Sequence, residues 1–279
     1  MFDLPLNNEF TQGTVFSCAY AENYCAPGIL GLVITARCDA AQNKVPVFSY
    51  VPVIPLHRWM LYDGALLVLE RIEADLINTI GNYLRDFSIS ESILRVHDLA
   101  NIYSAHIEKF EADRSRKNRC EKLKLIIGDV QECRNIKACL HDSVRLNNFI
   151  HRFDDKVTSL IRELTENKLA GYYLLRDLDP LREADGSDFV ALLREVHHIP
   201  AAIAKLISKG AHKEVFVRED LSCPVFRGDD EIAIPVCRLK SPWIEHLMQR
   251  FTFLFARIGV RSNDYRDVKK SLSRIRVEA

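Results

Sequence analysis

The spacing of apolar residues changes once along this chain, and that change constrains the fold more than any other feature. Up to about residue 56, short runs rich in Val, Ile, Phe, Thr and Tyr are separated by Asn, Gly and Pro. This pattern predicts strands over 14–19, 28–37 and 44–54. From residue 63 to residue 166 the apolar residues recur at three- and four-residue steps, which predicts amphipathic helices.

The helical part divides into four amphipathic segments, which we place at 63–87, 90–110, 116–130 and 134–166. Each segment must bury its apolar stripe against the other helices or against the β layer. Within that layer, the prolines at 46, 52 and 55 predict that the third strand lies at a sheet edge or ends in turns. A hairpin-like connection is expected over 39–43.

The last third of the chain mixes short strands with helices. We predict strands over 170–175, 189–196, 214–218 and 231–238, and helices over 199–208, 243–258 and 265–275. The helix 243–258 is the clearest, because Ser241 is a favourable N-cap and Pro242 suits the first helical position. We therefore predict an α+β fold with a small N-terminal β layer, a helical bundle-like middle and C-terminal mixed strands plus an amphipathic helix. The chain divides into 1–168 and 169–279, or forms one domain.

Charge and hydropathy exclude several classes of protein. The 279 residues include 38 basic and 38 acidic side chains, so no whole-molecule field attracts nucleic acid or an anionic membrane. The longest apolar stretch, 26–36, has about half of the roughly 20 residues that a spanning helix needs. The acidic N-terminal segment does not resemble a secretory signal. We expect a soluble, cytoplasmic protein without membrane contact.

The cysteine pattern predicts neither a disulfide framework nor a metal site. Eight cysteines are present and none forms a CxxC pair. Cys18, Cys25 and Cys38, with His57, have spacings that match no usual zinc site. We expect most of the thiols to be small buried hydrophobes, and we expect no metal and no cofactor.

One candidate catalytic motif lies at residues 134–141 (RNIKACLH), where Arg134 and Asn135 precede His141. This Arg-x6-His spacing resembles the motif of the HEPN family of helical ribonucleases. The resemblance implies a homodimer in which Arg134 and His141 of two protomers meet, with Asn135 in support. Such a site activates a ribose 2′-hydroxyl without metal. The alternative is a solvated helix face, because a similar spacing recurs from Arg145 to His151.

A second candidate is Cys38 with Asp39, at the end of an apolar run. A thiol at the end of a strand could be a nucleophile if His57 lies close in space. The alternative is that Asp39 bonds its own backbone in a turn while Cys38 fills the core.

Two kinds of surface could bind a partner. The aromatic-rich helix 243–258 carries Trp243, His246, Arg250 and Phe253, and Phe253 lies off the main apolar stripe, which leaves room for contact with a protein. The basic segments 114–124 and 257–276 could track the phosphates of RNA, and solvated helix faces are the alternative.

The sequence carries no phosphate-binding loop, dinucleotide fingerprint, zinc-protease motif or hydrolase elbow. We therefore expect a non-catalytic accessory protein that acts within a protein complex. Residues 34–45 (ITARCDAAQNKV) are similar to uncharacterised bacterial proteins, some in defence gene neighbourhoods, which implies a bacterial source and a role in defence. The alternatives are the HEPN-like ribonuclease and a catalyst based on Cys38.

Overall fold

The computed structural model describes residues 1–5, 8–41, 45–140, 142–178, 188–216 and 222–256. The predicted α+β class is confirmed. The strands are β1 (Phe2–Asp3), β2 (Thr14–Phe16), β3 (Leu30–Val33), β4 (Val47–Pro55), β5 (Tyr172–Leu175), β6 (Phe189–Leu192), β7 (His197–Pro200), β8 (Ala211–His212), β9 (Ile232–Ala233) and β10 (Pro235–Leu239). The α-helices are α1 (Arg37–Ala41), α2 (Leu56–Trp59), α3 (Ala65–Asp86), α4 (Leu99–Ile102), α5 (Lys117–Ala138), α6 (Ser143–Ile150), α7 (Asp154–Thr165), α8 (Ala201–Ile207) and α9 (Trp243–Phe255).

Eight of these strands form one antiparallel sheet. Seven follow the order β1-β10-β2-β3-β4-β6-β5, and the eighth, β7, pairs with the part of β4 that β6 does not reach. Strands β8 and β9 form a separate two-stranded sheet. The large sheet joins strands from both ends of the chain, because β10 lies between β1 and β2. Strands from both sides of residue 168 are therefore hydrogen-bonded to one another.

Strand β4 lies in the middle of the sheet, so the edge position predicted from its prolines is wrong. It pairs with β3 on one side. On its other side it pairs with β7 through Val47–Tyr50 and with β6 through Val53–Pro55. Pro52 falls in the interval between those two partners, where no ladder hydrogen bond is required of it. A proline is tolerated there because its missing N–H is not needed.

The sheet is buried on both faces, which explains why its central strands are almost continuously apolar. Alternate residues of β3 and β4 serve two cores. Leu32, Val51 and Val53 contribute to a core beneath α9, whereas Tyr50 and Ile54 contribute to the core beneath the other helices. The sheet is thus a layer between α9 and the helical part of the chain.

Helix α3 is the centre of the helical layer. It packs against α5, α6 and α7 and buries a stripe at helical spacing: Val68, Leu69, Ile72, Leu76, Ile80 and Leu84. The Cys133 thiol of α5 donates a hydrogen bond to the Leu69 carbonyl over 3.3 Å. Among the helices described, none is both long enough and apolar enough to cross a membrane.

Two of the four predicted helices are interrupted. The segment 90–110 forms a 3-10 turn (Glu91–Arg95), α4, a π-helical turn (Tyr103–Ile107) and a second 3-10 turn (Glu108–Phe110). The segment 134–166 contains the end of α5, then α6, a 3-10 turn (His151–Phe153) and α7. Capping residues cause the breaks: Asp98 accepts from the Ala100 N–H at the start of α4, and Asp142 accepts from the Arg145 N–H at the start of α6.

Other local predictions also need correction. The predicted hairpin-like connection does join β3 to the antiparallel β4, but its first part, residues 37–41, forms the short helix α1, because the N–H groups of Asp39 and Ala40 both bond the Ala36 carbonyl. The strand predicted at 214–218 begins as a 3-10 turn (Lys213–Val215) that follows the last pairing between β8 and β9. Helix α9 ends at Phe255, and the predicted helix 265–275 lies outside the described residues.

Candidate functional site

Helix α9 covers one face of the sheet with a narrow apolar stripe. Ile244 and Leu247 are fully buried in the core beneath it, and Met248, Phe251 and Leu254 pack around them. Their spacing is that of one face of an amphipathic helix. Trp243 lies outside this stripe and is exposed.

Beside the buried stripe, α9 presents a second surface that we call the aromatic–cationic face. Its members are the four partner-binding candidates: Trp243, His246, Arg250 and Phe253. At about 100° per residue the four fall within an arc of about 80°. Trp243 is 39% exposed and Phe253 is 55% exposed. Because the helix rises about 1.5 Å per residue, the two aromatic side chains are anchored about 15 Å apart.

A buried tyrosine holds the middle of this face. The Tyr173 hydroxyl and Nδ1 of His246 are 2.9 Å apart, and their rings meet edge to face. Burial raises the pKa of Tyr173 to about 12, with the Arg250 charge acting in the opposite direction, so the hydroxyl keeps its proton at neutral pH. The hydrogen bond fixes the imidazole between the two exposed aromatic groups, and the face is ordered without a partner.

The ribonuclease candidates are placed differently from the prediction. Arg134 and Asn135 are exposed in the last turns of α5, not at the start of a long helix. The Arg134 Nε donates to Glu73 over 2.7 Å, and Lys137 donates to the second oxygen of the same carboxylate over 2.7 Å. Burial raises the pKa of the Glu73 carboxyl, but these hydrogen bonds and charges outweigh it and leave the pKa lowered. Arg134 therefore joins α5 to α3 through an ion pair.

His141 lies outside the described residues, so its relation to Arg134 stays a prediction. The Cys38 thiol is exposed on α1, and its sulfur is 3.6 Å from an oxygen of Asp39. Among the hydrogen bonds of the described residues, none joins Cys38 to His57. The alternative in which Cys38 fills the core is wrong, because its side chain is exposed.

The basic segment 114–124 lies at the start of α5, and four of its six basic side chains make no ion pair with a described residue. Arg116 packs over the Phe110 ring at 4.8 Å, and Lys124 lies 5.6 Å from the Tyr103 ring. These contacts hold the cations beside aromatic surface. The segment 257–276 lies outside the described residues. RNA binding by either segment stays a prediction.

The structure brings together one group of titratable residues that the sequence did not single out. Nε2 of His197 is 2.6 Å from Glu195 Oε1, which also accepts the Glu22 N–H over 2.7 Å. The His197 ring lies between Tyr20 and Tyr50, at 4.9 and 5.6 Å between ring centroids. Glu195 and His197 are two residues apart in extended chain, a spacing that places both side chains on one side. Their main effect is to hold the segment around Glu22 against the sheet.

Asp63 lies in the same part of the molecule, close to the buried Tyr24 and the half-buried Tyr172. Burial raises the pKa of the Asp63 carboxyl, the nearby Tyr24 and Tyr172 hydroxyls act to lower it, and the Glu195 charge acts to raise it. The approach of the Tyr24 hydroxyl falls short of a well-directed hydrogen bond. Neither this cluster nor the Glu195–His197 pair includes a residue predicted as catalytic.

Comparison with models of known protein families, with characterised proteins and with solved structures finds no match.

Proposed function

We propose that this protein is a non-catalytic accessory protein that holds a protein partner on the aromatic–cationic face of α9. One observation carries the proposal: α9 packs its apolar stripe on the core and still leaves a tryptophan and a phenylalanine 39% and 55% exposed on a second face. Leaving such large rings in water forgoes the free energy that burying them would supply.

The residue types on this face are those that dominate binding energy at protein interfaces. Trp and Arg are enriched among the few residues that cost the most when they are truncated to alanine. An Arg250 guanidinium between two aromatic anchors adds a directional contact for a carboxylate. The hydrogen bond between Tyr173 and His246 holds the imidazole in advance, which lowers the entropy lost on binding.

The charge of the face indicates its partner. Within α9 it carries the Arg250 guanidinium but no acidic residue, because Glu245 lies on another side of the helix. A second copy of this chain would bring like charges together across a two-fold axis. The segment 257–276, which carries seven basic residues against two acidic ones, would also be repelled. The face fits a different protein that offers two apolar pockets about 15 Å apart with a carboxylate between them.

Two finer points belong to the same proposal. The proposal extends to a role in bacterial defence, and the sequence composition supports a cytoplasmic location. The ribonuclease alternative has no observation in its favour beyond its motif, because the guanidinium of Arg134 is engaged by Glu73.

The proposal is tested by crosslinking from the face itself. A photoreactive phenylalanine analogue replaces Phe253 in the full chain, expressed in the cell that makes it. A matched chain carries the analogue at Val96, which is 76% exposed and remote in sequence. We expect a discrete crosslinked protein from position 253 that is absent from position 96. That protein, once purified, should bind the unmodified chain.

Three outcomes would overturn the proposal. A crosslink only to a second copy of the chain would replace the partner with a homodimer. A crosslink only to residues 257–279 would show that the face is covered from within the chain. The same products from both positions would show that no specific surface exists on α9.

A further inference from the structure

A large open cavity lies on the opposite side of the sheet from α9, between the N-terminal segment, α1, β4 and α8. Its volume is about 770 Å³, within the range of roughly 300–1,000 Å³ that small-molecule sites occupy. No candidate from the sequence lines it, although Arg37 and Ala40 of α1 do, on either side of Cys38 and Asp39 in the chain. Its walls come from five separate stretches of sequence, the fifth being Arg238 of β10.

The inner wall of the cavity is apolar. Phe10 and Phe48 are each only 9% exposed, and their rings meet edge to face with centroids 5.4 Å apart. Ala201 and Ala204 of α8 continue this wall with small side chains. Aromatic rings beside small residues leave a slot that a planar group can enter and stack in.

The rim of the cavity carries three cations and one carboxylate: Arg37, Lys205 and Arg238 against Glu9. Three positive charges and one negative charge give a net charge of +2 for the lining. Arg37 and Lys205 make no ion pair with a described residue. The excess of positive charge is local, since the chain as a whole is neutral.

Arg238 has an unmet hydrogen-bonding requirement. Its Nε is buried and has no acceptor among the described residues. Its Nη2 lies 3.8 Å from the Asp3 carboxylate, beyond hydrogen-bonding distance. A buried guanidinium N–H without an acceptor is costly. An anion in the cavity would supply that acceptor.

We propose that this cavity binds a small organic phosphate with a flat apolar body, of the mononucleotide class. The phosphate lies among Arg238, Arg37 and Lys205, and the planar body packs on the apolar wall, where it stacks on one of the two perpendicular rings of Phe10 and Phe48 and meets the edge of the other. A phosphate monoester carries a charge of about −1.5 to −2 at neutral pH, which matches the net charge of the lining. The planar guanidinium of arginine can donate two parallel hydrogen bonds to phosphate oxygens, so it matches phosphate in geometry as well as in charge. Thr11, which is 9% exposed at the inner end, adds a hydroxyl donor.

The experiment is calorimetric titration of the full chain with each of the four common ribonucleoside monophosphates, with adenosine and with inorganic phosphate. We expect saturable binding of at least one monophosphate. Adenosine and inorganic phosphate should each bind about tenfold more weakly or worse, because each lacks half of the contacts. Lys205→Ala and Arg37→Ala alter exposed side chains and should each weaken the monophosphate about tenfold.

Lys209→Ala is the matched control, because Lys209 is exposed just after α8 and does not line the cavity. Its affinity for the monophosphate should equal that of the parent. A Trp243→Ala/Phe253→Ala variant should still bind the monophosphate, because neither residue lines the cavity. The experiment can therefore contradict this inference without contradicting the proposed function. No saturable binding of any of the four monophosphates, or equal affinity in the Arg37→Ala/Lys205→Ala double variant, would overturn the inference.

Discussion

The ion-pair cluster around Glu73 offers a quantitative test of how Arg134 is used. Glu73 is 18% exposed and accepts two hydrogen bonds of 2.7 Å, from Arg134 and from Lys137. Arg134 is half exposed, so its contribution is discounted for solvent screening to about 0.5 kcal/mol. Lys137 is less exposed, and its bond to a charged acceptor is worth about 1–1.5 kcal/mol. Glu73→Gln should therefore lower the free energy of unfolding by about 1.5–2 kcal/mol at pH 7, and Arg134→Met by about 0.5 kcal/mol.

The stability that Glu73 contributes should also depend on pH, in a direction that its pKa determines. Burial alone would raise the pKa of the Glu73 carboxyl, but Lys137 and Arg134 outweigh that effect and lower it in the folded protein. The stability it contributes is therefore complete above the unfolded pKa of about 4.3 and is lost as the pH falls through the lower folded value. The difference between the parent and Glu73→Gln should shrink as the pH falls from 7 towards about 3.

The assay is urea unfolding followed by far-ultraviolet circular dichroism, with the parent and both variants at each pH. Two results would refute the reasoning. Arg134→Met could destabilise the protein as much as Glu73→Gln, which would mean that the guanidinium has a larger structural role than its exposure allows. Alternatively, the difference for Glu73→Gln could stay constant with pH, which would mean that the carboxylate is not the stabilising species.

Three further predictions follow from burial and packing. In the native protein a thiol reagent should modify three of the eight cysteines rapidly and the rest only after unfolding, because only Cys25, Cys38 and Cys139 are exposed. Gly31→Ala should lower the free energy of unfolding by about 2–3 kcal/mol, because the added Cβ would lie 2.4 Å from atoms of the Phe16 ring; a loss below half of that in urea titration would contradict the packing. The purified protein in EDTA should not cleave RNA, and cleavage that an Arg134→Ala/His141→Ala variant loses would establish the ribonuclease instead.

Much of the secondary structure could be predicted because each long element has one dominant period. The stripe of α3 and the buried face of α9 can be read directly from apolar residues at helical spacing. The same signal failed over 90–110 and 134–166, where the apolar period continues across capping residues. Asp98 and Asp142 break the helices there, because a side-chain oxygen that satisfies free N–H groups outweighs the continued pattern.

The position of β4 could not be predicted because it depends on pairing between distant parts of the chain. Pro52 suggests an edge only if the strand has one continuous neighbour. In the structure β6 and β7 divide that side of β4 between them and leave a gap at the proline. Nothing local to residues 44–54 carries this information.

The two candidate surfaces also differ in how far the sequence could predict them. The aromatic–cationic face could be predicted because its residues lie within one helix, and Phe253 stood off the apolar stripe. The cations of the cavity lie at positions 37, 205 and 238 and come together only through the fold. The Glu195–His197 pair was missed although its two-residue spacing in extended chain is a usable signal.

The most direct test of the central claim is the affinity of the protein for the partner identified by crosslinking. Dissociation constants are measured by calorimetry for the parent, for Trp243→Ala/Phe253→Ala and for the control variant Leu125→Ala, whose side chain is 70% exposed on α5. Two interface anchors are worth about 2 kcal/mol each, so the double variant should bind at least about a hundredfold more weakly. The control should bind like the parent. Equal affinity in the parent and the double variant would contradict the proposed role of α9.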